Sequence, residues 1–152
     1  MATTKRVYLV RHGAAESIGK GGDASRRLTA EGRASFESLV RVLAPRLSIE
    51  RVWTSPAVRA RESADILATA TRAEIHVTSE LAAGHSSGPE LLALARKLGP
   101  GSALVGHNPE VGEAIALAGG VAQNVKAGAV AALEFTPEGF ALAFLEAPLP
   151  GG

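Results

Sequence analysis

Three short strings hold the side chains able to do chemistry. They are Arg11-His12-Gly13, Thr54-Ser55-Pro56 with Arg59 shortly after, and Gly106-His107-Asn108-Pro109. Together they offer two guanidiniums and two imidazoles. Arginine presents forked N–H donors matched to phosphate oxygens. Ser55-Pro56 and Asn108-Pro109 each read as an N-cap followed by a first-turn proline, so each should open a helix. A helix N-terminus adds free N–H groups and partial positive charge. Such a collection suits a phosphoryl group. Cysteine is absent, and the only histidines are His12, His76, His85 and His107. Thiol nucleophiles, disulfides, zinc–thiolate sites and iron–sulfur clusters are thereby excluded. A neutral imidazole remains as a nucleophile, attacking phosphorus in line to form a transient phosphohistidine while arginines neutralise the oxygens.

These strings need elements that bring them together, and the hydrophobic pattern supplies them. Val7-Tyr8-Leu9-Val10, Arg51-Val52-Trp53-Thr54 and Ala103-Leu104-Val105 read as short buried strands, each ending at one string. Glu74-Ile75-His76-Val77 is a further strand. After the cap Thr29, the spacing of Phe36, Leu39, Val40, Leu43 and Leu47 predicts a helix over roughly 30–46. Other helices should run from Ser55-Pro56 to about Thr69, from Pro89 to Leu98, and from Asn108-Pro109 to about Ala118. Val130 to Phe135 and Phe140 to Leu145, joined by Pro137-Glu138-Gly139, read as an edge hairpin. Ala14 to Arg27 reads as a soft loop containing Gly19, Gly21 and Gly22 and made basic by Lys20, Arg26 and Arg27. Its expected state is solvated, with a rim facing an acidic protein as the alternative.

Strands alternating with helices predict an α/β fold: a three-layer α/β/α sandwich with a mostly parallel central sheet and a C-terminal antiparallel edge hairpin. One domain over 1–152 is expected. Ligands of open parallel sheets bind at the carboxyl ends of the strands, where the three strings would converge.

At these residues the sequence resembles the histidine phosphatase superfamily, branch 1, the phosphoglycerate mutase-like group. The resemblance rests on Val10-Arg11-His12-Gly13, Thr54-Ser55-Pro56-x-x-Arg59-Ala60 and Gly106-His107-Asn108-Pro109, in that order along nearly the whole chain. The short length and Arg27-Leu28-Thr29-x-x-Gly32 resemble its SixA-type phosphohistidine phosphatases. The resemblance implies a phosphoglycerate mutase-like fold, His12 as the phosphate-accepting nucleophile, Arg11 and Arg59 as phosphate-binding arginines, and His107 as a second histidine on the phosphoryl oxygens. Mutase-like members carry a glutamate acid before a mid-chain glycine. In Glu80-Leu81-Ala82-Ala83-Gly84 that place falls on Ala83, with Glu80 three residues early. Glu80 serving from a shifted loop, His85 serving beside it, or no dedicated acid at all remain open. Expelling an alkoxide demands a proton, whereas phosphohistidine can release a neutral imidazole, so lack of an acid favours a P–N substrate. A phosphohistidine-bearing signalling protein is the expected partner. A small phosphoester, or a non-catalytic phospho-ligand module, is the alternative.

The rest of the sequence restricts the alternatives. A formal charge of +1 gives no overall field toward nucleic acid or anionic membrane, so neither is an expected partner. Apolar stretches are too short to span a bilayer, and Met1 to Arg6 lacks a leader's apolar core, which points to the cytosol. Trp53, His76 and Arg61 read as packing, strand-surface and solvated helix residues, and Pro148 to Gly152 as a frayed tail. Gly13 to Lys20 misses the phosphate-loop pattern in spacing and in its Ser/Thr. No His-x-His, His-x₃-His or Asp-x-Asp pair is present, so no cofactor and no metal is expected. Activity should therefore survive EDTA. Its loss on chelation, with recovery on adding a divalent ion, would overturn this.

Overall fold

The computed structural model describes residues 5–120 and 124–149. Met1 to Thr4 and Pro150 to Gly152, parts of the stretches read for a leader and a tail, lie outside the described residues. The regular elements are β1 (Arg6–Arg11), α1 (Ala30–Leu43), β2 (Arg51–Thr54), α2 (Val58–Thr71), β3 (Glu74–Val77), α3 (Gly88–Leu98), β4 (Ser102–Gly106), α4 (Glu110–Gly119), β5 (Val130–Thr136) and β6 (Gly139–Glu146). They form one six-stranded sheet in the order β3-β2-β4-β1-β5-β6. The first four strands in that order are parallel, and β5 and β6 add antiparallel at the β1 side. The fold is therefore the expected three-layer α/β/α sandwich with a terminal edge hairpin.

Alternation along the strands builds both faces. Tyr8, Val10, Ala103 and Val105 turn to one side, where they pack with Phe36, Val40 and Leu43 of α1 and Ala60, Ala64 and Leu67 of α2. Val7, Leu9 and Leu104 turn to the other and pack with Leu91, Leu94 and Ala95 of α3 and Val111, Ala114 and Ile115 of α4. Because both faces are covered, β4 is buried at every position. Among the described residues, no helix is long and apolar enough to cross a membrane.

Three boundaries differ from the sequence expectation, each for a local reason. The α-helix of α1 stops at Leu43, and Ala44–Arg46 forms a 3₁₀ turn, because Pro45 cannot donate the next helical hydrogen bond. The helix after β2 begins at Val58 with Ala57 as its N-cap and no side-chain cap, so Ser55 and Pro56 do not open it. Pro109 stands at the N-cap of α4 rather than inside it, while Asn108 Oδ1 still accepts from Gly112 N at 3.0 Å.

Thr29 does cap α1, accepting from Gly32 N at 2.9 Å. Its own N–H donates to Ala14 O at 3.1 Å, tying the helix start to the chain leaving β1. A Cβ at Gly32 would be driven into that same Ala14 carbonyl oxygen. The Arg27-Leu28-Thr29-x-x-Gly32 string is thus a docking device, with a cap followed by a gap. Glycine to alanine inside a helix ordinarily stabilises by up to about 1 kcal/mol. Here Gly32→Ala should destabilise by about 2 kcal/mol through overpacking, read as a lowered midpoint in urea unfolding.

Candidate active site

β2, β4 and β1 are adjacent and end level, with Thr54 beside Val105 and Arg11 beside Gly106. The residues after β2 and β1 continue the ladder by one bond each: Ser55 N donates to Val105 O and His12 N to Gly106 O, both at 3.1 Å. Ser55, His12 and His107 therefore emerge side by side. Arg59, in the first turns of α2, completes the group. His12, Ser55, Arg59 and His107 are all buried. The imidazole centroids of His12 and His107 lie 5.0 Å apart.

The hydrogen bonds fix both tautomers. His12 Nδ1 lies 2.7 Å from Gly13 O, which can only accept, so Nδ1 carries the proton and Nε2 the lone pair. Arg59 Nε donates to that Nε2 at 3.3 Å. Arg59 Nη2 lies 3.3 Å from His107 Nδ1 and can only donate, so Nδ1 accepts and His107 Nε2–H donates to Ser55 Oγ at 2.8 Å. Ser55 Oγ also accepts from Ala57 N at 3.2 Å. The serine expected to cap a helix instead orients a histidine.

Both histidines are held neutral. Burial, opposed in part by the bond to Gly13, pushes the His12 imidazole down to about 4, with the charges of His107, Arg59 and Arg11 adding to the effect. Burial and then Arg59 push His107 down to about 4, against the carboxylates of Glu110 and Asp23. The Arg11 guanidinium is therefore part of the same field. It donates from Nη1 to Val125 O at 3.1 Å, and its Nε is buried with no partner among the described residues. A buried donor without an acceptor is a costly state that an oxyanion would relieve.

Several supporting residues escaped the sequence reading. Ser63 Oγ accepts from Gly13 N at 2.9 Å and donates to Arg59 O at 2.8 Å, coupling the histidine loop to the arginine helix. Its sequence signal is only a serine beside the apolar stripe of Ala60, Ala64 and Leu67 on α2. Glu62 Oε1 accepts from Leu28 N, and its Oε2 pairs with Arg33. The loop from Ala14 to Arg27 is closed at its neck by an Ala15–Leu28 bridge and a Glu16 N to Arg27 O bond of 2.8 Å. A 3₁₀ turn over Asp23–Ser25 then carries Asp23 onto Arg59: Oδ2 lies 3.0 Å from Nη2, and the Asp23 carbonyl 2.8 Å from Nη1. This loop, expected to be soft and basic, presents an acid to the site.

Glu80 and His85 are exposed and share a surface hollow with Ser86, Glu90 and Lys97. Neither makes a hydrogen bond or ion pair to Arg11, His12, Arg59 or His107 among the described residues. Gly84 N, beside Ala83, donates instead to Glu110 Oε2 at 2.9 Å. His76 stacks on Trp53 with centroids 4.6 Å apart, on the β3 edge. No cluster of three or more His, Asp or Glu side chains suited to a metal occurs among the described residues.

Residues 7–88 match the model of the histidine phosphatase superfamily, branch 1. That span takes in His12 and Arg59 and stops short of His107. No curated protein matches the sequence. Among solved structures, one from Agrobacterium tumefaciens bearing the name phosphohistidine phosphatase SixA superposes with TM-score 0.82 at 23% identity, over 97% of this chain and 100% of that one. The protein histidine phosphatase SixA complexed with tungstate gives 0.80 at 22%, over 94% and 97%. The phosphoserine phosphatase of Entamoeba histolytica with 3-phosphoglyceric acid gives 0.69 at 13%, over 93% and 96%. At these identities the likeness is one of fold.

The two neutral imidazoles make stability depend on pH. Between pH 6.5 and about 4 the unfolded chain protonates both, whereas the folded protein keeps them neutral. The unfolded state then binds more protons, so stability is full above pH 6.5 and declines as pH falls toward 4, by on the order of 3 kcal/mol for the first histidine. Imidazole NMR titration should place both midpoints near 4. Midpoints at the ordinary histidine value would show the charges to be wrongly assigned.

Proposed function

The chain belongs to branch 1 of the histidine phosphatase superfamily, and from that premise we propose that it is a phosphatase working through a phosphohistidine on His12, with phosphohistidine on a protein as its substrate. One observation carries this: His12 Nδ1–H is committed to Gly13 O, leaving an uncharged Nε2 lone pair between Arg59 and His107. In the first step Nε2 attacks phosphorus in line. The bond to the leaving nitrogen breaks, and a substrate imidazolium that keeps its other ring proton departs as neutral imidazole. Positive charge appears on the His12 ring, where the Nδ1–H bond to Gly13 O strengthens. Arg11 and Arg59 hold the non-bridging oxygens, and His107, steadied by Ser55, faces them. In the second step water attacks phosphorus, the P–Nε2 bond breaks, and dihydrogen phosphate leaves with both water protons. His12 returns to its starting tautomer.

No carboxylic acid is required, because donor and acceptor are both imidazoles. The placement of Glu80 and His85 outside the hydrogen-bonded group supports that economy. A phosphomonoester substrate is the second reading, and Glu110 favours it. That residue is half-buried in the first turn of α4, and its charge acts on His107. It could protonate an alkoxide.

His12→Ala should abolish both turnover and the acid-labile phosphoenzyme seen by rapid quench with a phosphohistidine protein. Equal phosphate release by variant and wild type would remove His12 as nucleophile. Arg59→Ala should lower kcat by about 100-fold or more. Glu110→Gln should leave phosphohistidine hydrolysis untouched. If phosphomonoesters are the better substrates and Glu110→Gln slows them, the second reading replaces the first.

A further inference from the structure

Arg59, the guanidinium that would carry a phosphoryl group, is already occupied. Four of its five N–H groups are engaged: one on His12 Nε2, one on His107 Nδ1, and two on Asp23. Among the described residues, Asp23 is its only anionic partner. Arg59 is 4% exposed, whereas the Asp23 side chain is 64% exposed. The carboxylate thus reaches in from the surface to a cation buried at the site. A carboxylate and a phosphoryl group compete for the same donors, since both offer planar or near-planar pairs of anionic oxygens. They also repel each other.

We propose that Asp23 is a specificity-determining residue: its carboxylate stands in for phosphoryl oxygens on Arg59, and a substrate must displace it. This rests on the phosphatase reading above. Free phosphate has only the pocket contacts to set against the displacement. A phosphoryl group borne on a protein brings contacts of its own to the surrounding surface, so the same competitor costs it proportionately less. Asp23 therefore selects a carried phosphoryl group over a free oxyanion and limits inhibition by product.

The surroundings of Asp23 fit displacement better than a rigid clamp. Its other oxygen, Oδ1, is held by Arg26 Nη1 at 2.9 Å, and Arg26 is in turn bonded to Glu16 O. Leaving Arg59 need not leave the carboxylate without a cation. The Asp23 carbonyl on Arg59 Nη1 and the closed neck of the loop fix the main chain, so a side-chain rotation is enough. Hydrogen bonds from Arg26 and then Arg59 hold the carboxyl below its usual range, so the competitor stays charged through neutral pH.

The opposite role, aiming Arg59, predicts the opposite sign. Binding of inorganic phosphate and of tungstate is measured by calorimetry on wild type, Asp23→Asn, Asp23→Ser and Asp23→Glu. The asparagine and serine variants should bind phosphate about tenfold tighter, and the glutamate variant close to wild type. Phosphate should inhibit the asparagine variant correspondingly more strongly. Its preference for a phosphohistidine protein over phosphoramidate should fall. Unchanged or weaker phosphate binding in both charge-removing variants, or no binding in any of the four proteins, overturns the proposal. Binding is read without turnover. A tightened Asp23→Asn with no phosphoenzyme on His12 would therefore sink the phosphatase reading alone, and a normal phosphoenzyme with unchanged binding would sink only the role of Asp23.

Discussion

A guanidinium 4% exposed to solvent has to be compensated, and most of the site follows from how this is done. Arg59 donates to His12, His107 and Asp23, and its carbonyl is held by Ser63. A cation in that position adds to burial in disfavouring charge on either neighbouring imidazole. It also selects the tautomers, because an arginine N–H can meet a histidine nitrogen only if that nitrogen is unprotonated. His12 is left with its proton on the Gly13 side, and His107 with its proton on the Ser55 side. Each ring is oriented by an acceptor that lies away from Arg59. Burial and one cation together therefore set the protonation state, and that cation's hydrogen bonds set the ring orientation and the direction of the His12 Nε2 lone pair.

The sheet makes this arrangement repeatable. β2, β4 and β1 end within one residue of each other in register, each hands over to a polar residue, and Ser55 and His12 each take one more ladder bond. Packing on both faces holds those ends still, since every residue of β4 is buried and its neighbours β1 and β2 set Tyr8, Val10 and Val52 into one core cluster and Val7 and Leu9 into the other. The site thus stands on rigid strands on one side. On the other side it is closed by a loop whose main chain is tied at the neck but whose inward-facing acid is open to water. That division, with fixed histidines and arginines and an adaptable anion, matches what catalysis by preorganised charge requires.

Much of this was legible in the sequence. The order of strands and helices, the terminal hairpin and the convergence of the three strings follow from hydrophobic period and turn residues, which are local signals. Arg11, His12, Arg59 and His107 were legible for a second reason: each sits in a short string at a strand exit or the following turn. What escaped was whatever depends on contacts distant in sequence. Asp23 is separated from Arg59 by 36 positions, and the turn that delivers it, after Gly22 at φ 100°, has no periodic signature. Ser55 carried a helix-cap signature and was read as one. A serine before proline caps only if the helix starts there, and it does not; its hydroxyl is spent on a histidine 52 positions away. Ser63 looked like an ordinary helix residue until Gly13 was placed against it.

The charges close on one another in a way that no single string reveals. Arg11 and Arg59 bring two positive charges to a pocket whose histidines are neutral, and among the described residues the Asp23 carboxylate and the more remote Glu110 answer them. Burial alone makes an imidazolium costly here, yet in the proposed reaction the phosphorylated form of His12 is an imidazolium. The cost is met because the phosphoryl group arrives with its own negative charge and places it beside the ring it charges. The same burial that keeps Nε2 uncharged at rest would make the proposed phospho-His12 easy to break, since a ring of lowered basicity is the better leaving group when water attacks. In the proposed reaction, neutral histidines and two arginines are then parts of one requirement: a phosphoryl group passes between imidazoles, and the pocket supplies charge to the oxygens rather than protons to a leaving group.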